Sequence, residues 1–462
     1  MRTALTAALA LALAIPAQAG DAPLRAGAEA VRDRALADPT AYAFVQSLTR
    51  EVGPRLAGTE TSAKARDWAV ARLTALGFSN VRAEAFAITS WVRGAERAEV
   101  TAPTRRRLSI LGLGGSVATP PDGIEAEAVV FPTYADMLAQ PPGALAGRIA
   151  VVTQPMARTQ DGSGYGAVSP MRQYGPREAA RRGAVAFLLR SLSTAEDGAP
   201  HTGATFYAAD VAKIPAAALS PRDAAWLERA AAAGRPLRLR LSLASISAPA
   251  TAWTVLGDIP GSERAAETII VGGHLDSWDV ATGATDDGAG MAITVAAARL
   301  AGGERPKRTI TVVLWGGEES DVSDAAFGAA HRAEAGQVVL IGEADNGADR
   351  VWSVRLPPRG AALAPMKTFA AAVAPLRVFV SPDPAPYGGA DTFEMMKAGV
   401  PVVSVRQDVS RYFDWHHSAN DTLDKIDRAQ LNQAVAVWAA LIYVVANSDV
   451  DFRAAAPKPT AP

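Results

Sequence analysis

Apolar positions along this chain follow helical spacing in some stretches and strand-like runs in others, and three regions separate on that basis. In the first, residues 63–76 place apolar side chains at helical spacing and stop at Gly77. Residues 78–86 then alternate as a strand does, and the turn-rich segment 52–59 leads into the helix. The middle region has short β-rich runs at 128–131 and 148–152 and a helix-like piece at 177–182. After Gly183 come an apolar run at 184–189 and a helix at 224–233. Its Gly/Ser/Tyr-rich stretch 161–175 reads as loop. The third region alternates strands (268–271, 309–315, 338–341, 400–405) with helices (291–300, 362–373, 430–446). That alternation predicts an α/β fold: a mixed, mostly parallel sheet with helices on both faces.

These patterns imply a domain made of residues 21–119 and 249–450, interrupted by a β-rich insertion at 120–248. An Ala/Pro-rich tail at 451–462 is expected to be disordered. Residues 1–20 read as a secretory signal. Arg2 supplies the positive end, residues 4–15 the apolar run, and Ala17-Gln18-Ala19 a small-x-small cleavage site. The expected location is therefore periplasmic or secreted, with no membrane attachment after cleavage. The apolar stretch 434–446 is short of the ~20 residues a span needs and reads as a buried helix.

Composition narrows the chemistry. Among 462 residues, 46 Lys and Arg balance 47 Asp and Glu, so nothing points to nucleic acid. There is no cysteine, which excludes disulfides, thiolate ligands and a cysteine nucleophile. Any transition-metal site must use carboxylates and the five histidines. His201 and His331 are expected at the surface. The oligomeric state stays open, a homodimer included.

Ligands of open α/β sheets bind beyond the carboxyl ends of the strands, and here the strands run into polar clusters. Gly273-His274-Leu275-Asp276 lets His274 face a metal while Asp276, two residues on, orients its ring. In Gly283-Ala284-Thr285-Asp286-Asp287-Gly288, one Asp suffices as a helix cap. Asp286 is the candidate to join two cations with its two oxygens. In Gly316-Gly317-Glu318-Glu319, one glutamate suits a metal and the other a metal-activated water. Glu343-Ala344-Asp345 follows the next strand, and His416-His417 stands in a segment that ends in Asp421-Thr422. Of that His pair, one is expected as ligand and the other in the substrate pocket. Imidazole mixed with carboxylate suits zinc, with cobalt or manganese as alternatives.

This order of motifs, from Gly273 to Thr422, resembles the zinc exopeptidase family of bacterial leucyl aminopeptidases and plasma glutamate carboxypeptidase (carboxypeptidase Q). The lead-in Gly53-Pro54-Arg55-Leu56-Ala57-Gly58-Thr59 is similar too, and the middle region resembles the protease-associated domain that several members insert. The resemblance implies a zinc-peptidase, phosphorylase/hydrolase-like fold. It implies two Zn2+, one held by His274, Asp286 and Asp345, the other by Asp286, Glu319 and His417. Glu318 matches the general base and Asp276 the residue that orients a histidine. The peptide after Asp286 is often cis in this family. Tyr387, Asp391 and His416 are implied substrate contacts. One departure stands out: where the family has a Gly-rich turn, this chain has Ser320-Asp321-Val322-Ser323-Asp324.

The implied activity is hydrolysis of dipeptides or of N-terminal residues of short peptides, with a peptide as the partner. The alternatives are carboxypeptidase-type activity, a one-zinc glutaminyl cyclase, and a receptor-like relative. The Glu-Glu pair and the bridging Asp286 argue against the cyclase, and the complete ligand set argues against the receptor.

Overall fold

The computed structural model describes residues 21–303 and 305–455. The signal and residues 456–462 lie outside the described residues. A five-stranded sheet carries the site. Its order in space is Ser79–Val92, Ile246–Ile259, Arg308–Trp315, Arg264–His274 and Val338–Glu343. The first two pairings are antiparallel and the last two parallel. The sheet is thus evenly mixed rather than mostly parallel. The long strand Ile246–Ile259 is the cause: it returns from the middle region and pairs antiparallel on both sides.

Period-two alternation divides the sheet's faces. Along Arg308–Trp315, Ile310, Val312 and Leu314 join a core under the helices Ala289–Gly302 and Arg428–Asn447. Val313 and Trp315 point the other way, toward Phe327 and Met395 of two shorter helices. Helices therefore cover both faces, as expected. Arg428–Asn447 is apolar and long enough to cross a membrane, yet 78% of its apolar window is buried inside the protein. It is apolar all round because it is packed all round.

A second, eight-stranded sheet holds the middle of the chain. Its order is Arg106–Leu108, Glu96–Ala102, Leu237–Leu243, Ile124–Phe131, Ile149–Val152, Ala186–Arg190, Ala216–Leu219 and Ile110–Gly112. This sheet takes in Glu96–Ala102, so it begins well before residue 120.

From Ser163 onward the expected loop at 161–175 is helical instead, part of the helix Ser163–Arg181, despite Pro170 and Pro176 inside it. Local propensity is overridden by packing. Val168, Met171 and Ala179 are buried against the second sheet, and Gly175 lets Phe187 approach so closely that a Cβ would meet its ring at 2.4 Å. Further along, Ser404–Gln407 belongs to a separate three-stranded sheet with Val351–Arg355 and Phe379–Ser381. A single parallel bridge, from Ile341 to Val402, ties that segment to the main sheet among the described residues.

Three corrections concern single residues. Phe452, in the expected tail, is buried in the main core. His331 is buried between Glu84 at 2.8 Å and Glu334 at 3.1 Å. His201 is buried as well, its Nδ1 2.6 Å from the His416 carbonyl oxygen, and burial takes its pKa down to about 4.

The parallel strands end level with one another: His274 lies opposite Trp315, and Gly272 opposite Glu343. The helix Ala289–Gly302 starts hard against these ends. A Cβ on Gly290 would stand 1.7 Å from the Ala344 carbonyl oxygen. Backbone cannot yield cheaply there, so Gly290→Ala is expected to lower stability by about 1–3 kcal/mol in urea denaturation.

Candidate metal centre

His274, Asp286, Glu319 and Asp345, at and beside the main-sheet strand ends, meet His417 from the segment after Tyr412–Asp414 in one largely buried cluster. His274 ends its strand, and its backbone N–H donates to Asp287 Oδ2 at 2.9 Å. Asp287 also accepts from the Gly290 N–H at 3.0 Å. It therefore ties the strand to the helix start and leaves Asp286 free to face inward. The Asp286–Asp287 peptide is cis.

The carboxylate of Asp286 stands between two histidines. Its Oδ1 lies 3.1 Å from His274 Nε2, and its Oδ2 lies 3.1 Å from His417 Nε2. Glu319 Oε2 is 3.1 Å from the same His417 nitrogen, and Asp345 Oδ1 is 3.8 Å from His274 Nε2. Two ligands of a tetrahedral cation, each about 2.0–2.1 Å from it, stand about 3.3 Å apart. The spacing of these donors therefore fits cations between them.

Two groups of donor atoms lie close enough to share an ion: His274, Asp286 and Asp345, and Asp286, His416 and His417. In the second group His416 takes the place expected for Glu319. The His416 nitrogen is 3.7 Å from Asp286 Oδ2, and its ring is stacked on His417 with centroids 3.5 Å apart.

Buried polar atoms without partners point the same way. Asp286 Oδ2 and Glu319 Oε1 have no hydrogen bond, which native interiors rarely tolerate. Burial would lower the pKa of His274, but Asp276, Asp286 and Asp345 raise it well above the ordinary value. Burial likewise opposes charge on His417, yet Glu319 and Asp286 bring it up to about 9. Asp286 is held well below the usual carboxylate range because the two histidines facing its oxygens outweigh its burial. The cluster thus draws positive charge to itself, as the donor set of a divalent cation does.

Glu318 lies at the edge of the cluster, its Oε2 4.0 Å from His274 Nε2. Burial, reinforced by the charges of Asp345 and Glu319, pushes its pKa well above the ordinary value. Asp276 spans both residues: its Oδ1 is 3.7 Å from His274 Nδ1 and accepts from the Glu318 N–H at 3.1 Å. The nearest contact of His274 Nδ1 is the Asp276 carbonyl oxygen, at 3.1 Å.

Beside the cluster opens a cavity of about 350 Å³, walled by Tyr165, Phe206, Tyr387, Tyr412, Phe413 and His416. Asp391 does not line it. Its N–H donates to Glu343 Oε2 at 2.9 Å and its carboxylate accepts from Ser323, which keeps it behind the cavity wall. Asp321, from the segment where the chain departs from the family, does line the cavity.

The histidine pair depends on the second sheet. Tyr412 and Phe413 pack into that sheet's core, and Phe413 stacks on Tyr165 at 4.8 Å. His417 has a left-handed backbone, φ 59°, and its carbonyl oxygen accepts from the Thr202 N–H at 2.9 Å.

Two supports went unassigned in the sequence. Arg55, fully buried, donates to the carbonyl oxygens of Leu275, Thr282 and Gly283 at 2.5–3.0 Å. It clamps the His274 strand end to the Asp286 loop, and the lead-in motif that contains it was the available signal. Asp421 accepts from the N–H groups of Thr285 and Asp286 and from the Thr285 hydroxyl at 2.7–3.1 Å. Removing it would strand three donors around the central carboxylate. Asp421→Ala is expected to weaken divalent-metal binding roughly 10–100-fold in chelator competition. Unchanged affinity would show that the Asp286 loop holds its shape alone.

The profile of Peptidase family M28 matches residues 254–442. The chain is 36% identical to carboxypeptidase Q of Mus musculus over 88% of its own length and 86% of the relative's. The crystal structure of a peptidase M28 precursor from Shewanella amazonensis superposes with a TM-score of 0.92 at 39% identity, covering 95% of this chain and all of that one. A zinc aminopeptidase from Bacillus subtilis shares the fold, with a TM-score of 0.65 at 16% identity over 91% of this chain and 98% of its own. With this extent of identity to carboxypeptidase Q and a metal-ready cluster at the strand ends, the chain belongs to peptidase family M28.

Proposed function

We propose that this chain is an exported exopeptidase that hydrolyses dipeptides or the N-terminal residues of short peptides with two zinc ions. The observation that carries the reading is Asp286, each of whose oxygens faces a different histidine at 3.1 Å. In this reading His274, Asp286 and Asp345 hold one zinc, and Asp286, Glu319 and His417 the other. Glu319 is preferred to His416 as ligand because its oxygen lies 3.1 Å from His417 Nε2, whereas the His416 nitrogen stands 3.7 Å from Asp286 Oδ2. The second sheet is read as a protease-associated domain set into the peptidase domain.

Zinc, when bound, polarises a carbonyl and acidifies water. The chain's own groups do the rest. Glu318, at the edge of the cluster with its proton affinity raised by burial and by neighbouring carboxylates, takes a proton from water and returns it to the leaving amine. Asp276 fixes Glu318 through its backbone N–H and holds the His274 ring from the far side. The aromatic cavity wall accommodates a substrate side chain.

The name of the relatives, carboxypeptidase Q, favours a second reading in which the pocket recognises the C-terminal end. Zinc-loaded protein assayed on free dipeptides, N-blocked dipeptides and aminoacyl amides separates the two. Loss of turnover on blocking the amine supports the first reading, and equal turnover supports the second. Glu318→Ala is expected to keep its metal content and to lose roughly 10²–10⁴-fold in kcat. Full turnover with metal bound would remove Glu318 as the base.

A further inference from the structure

Six carboxylates line the cavity: Asp161, Asp286, Glu318, Glu319, Asp321 and Asp345. Among the described residues a single arginine, Arg172, and no lysine line it. This arginine comes from the helix Ser163–Arg181, which the second sheet supplies. It is 5% exposed, and none of the ion pairs among the described residues includes it. Its Nε has no hydrogen-bond partner. A buried guanidinium without an anion is costly.

Arg172 hydrogen-bonds the neutral Tyr165 hydroxyl, which satisfies a donor but supplies no anion for the charge. Its guanidinium lies 5.5 Å over the Tyr165 ring, in a slot opened by Gly203, where a Cβ would stand 2.4 Å from Cζ. Its Nη1 is 3.3 Å from His417 Nδ1. That nitrogen also faces the Thr202 carbonyl oxygen, at 3.3 Å. A histidine that gives Nε2 to a metal carries its proton on Nδ1. The proton then goes to Thr202, and Nδ1 has nothing left to offer the arginine. In the loaded site the guanidinium donors therefore have no acceptor from the protein at that contact.

We infer that Arg172 binds the terminal carboxylate of the substrate, which narrows the proposed substrates to free dipeptides, whose single peptide bond is both the first and the last. The inference rests on the hydrolytic reading of the cluster. One imidazole ring separates the guanidinium from the donor atoms around Asp286, and one residue spans at most about 3.6 Å. A carbonyl at the cluster thus places a carboxylate one residue further on at Arg172. The planar fork of arginine takes a carboxylate through two parallel hydrogen bonds. Water adds to the carbonyl, the C–N bond breaks, the nitrogen gains a proton, and the free amino acid leaves with its carboxylate on Arg172. Free dipeptides meet this requirement, with their amine toward the carboxylates.

Calorimetric titration of the metal-free protein with leucyl-leucine and leucyl-leucinamide tests the contact without turnover. The free acid is expected to bind at least 10-fold tighter than the amide. Arg172→Met should abolish the preference, and Arg172→Lys, which keeps the charge without the fork, should retain part of it. Equal affinities in the wild type, or an undiminished preference in folded Arg172→Met, would overturn the inference. With zinc added, Arg172→Met should raise KM for the acid at least 10-fold and leave KM for the amide unchanged. Equal losses on both would mark Arg172 as a prop for His417 and overturn it too. Absence of hydrolysis in the wild type would sink the proposed function instead, while the binding preference would still report on Arg172.

Discussion

The position of one carboxylate governs the rest of the site. Asp286 must present both oxygens inward, one to His274 and one to His417, although the two histidines come from distant parts of the chain. Nothing in a lone Asp enforces that. Asp421 holds the backbone on one side, Asp287 fastens the strand to the helix on the other, and Arg55 closes the loop between them. Each supporting group is buried and charged or strongly polar, so each needs the others in place. The cluster therefore behaves as one unit.

The donors were legible in the sequence because each follows a strand that reads clearly. His274, Glu318, Glu319 and Asp345 inherit their position from runs of buried aliphatic residues, and strand ends in such sheets converge. The His416-His417 pair was legible for a different reason: paired histidines are rare in a chain with few, although only the family resemblance singled out His417 as the ligand. The supports were harder to read. Arg55 acts on three carbonyl oxygens, and backbone acceptors leave no mark in a sequence. Asp391 sat in a promising motif, but the turn at Gly389 directs it toward Ser323 and away from the cavity.

The helix Ser163–Arg181 was misread for a related reason. Its glycines and prolines are poor helix formers, and only the sheet beneath supplies the energy that keeps it helical. Sequence periodicity reports on a helix whose buried face is built from large aliphatic residues. Here close approach replaces bulk, with Phe187 pressed against Gly175. The same misreading hid Arg172, which looks like an ordinary loop arginine until the helix exists.

Tyr412 and Phe413 belong to the catalytic half of the chain but lie in the hydrophobic core of the other half. The segment bearing the histidine pair is thus shared property between two folding units. Trimming the middle of the chain to obtain a minimal enzyme would not leave a smaller enzyme with an open mouth. It would strip the packing from two aromatic rings and release the backbone that gives His417 its unusual φ. For this architecture, modularity stops at residue 412, and any chimera that swaps the middle sheet must carry the histidine segment with it.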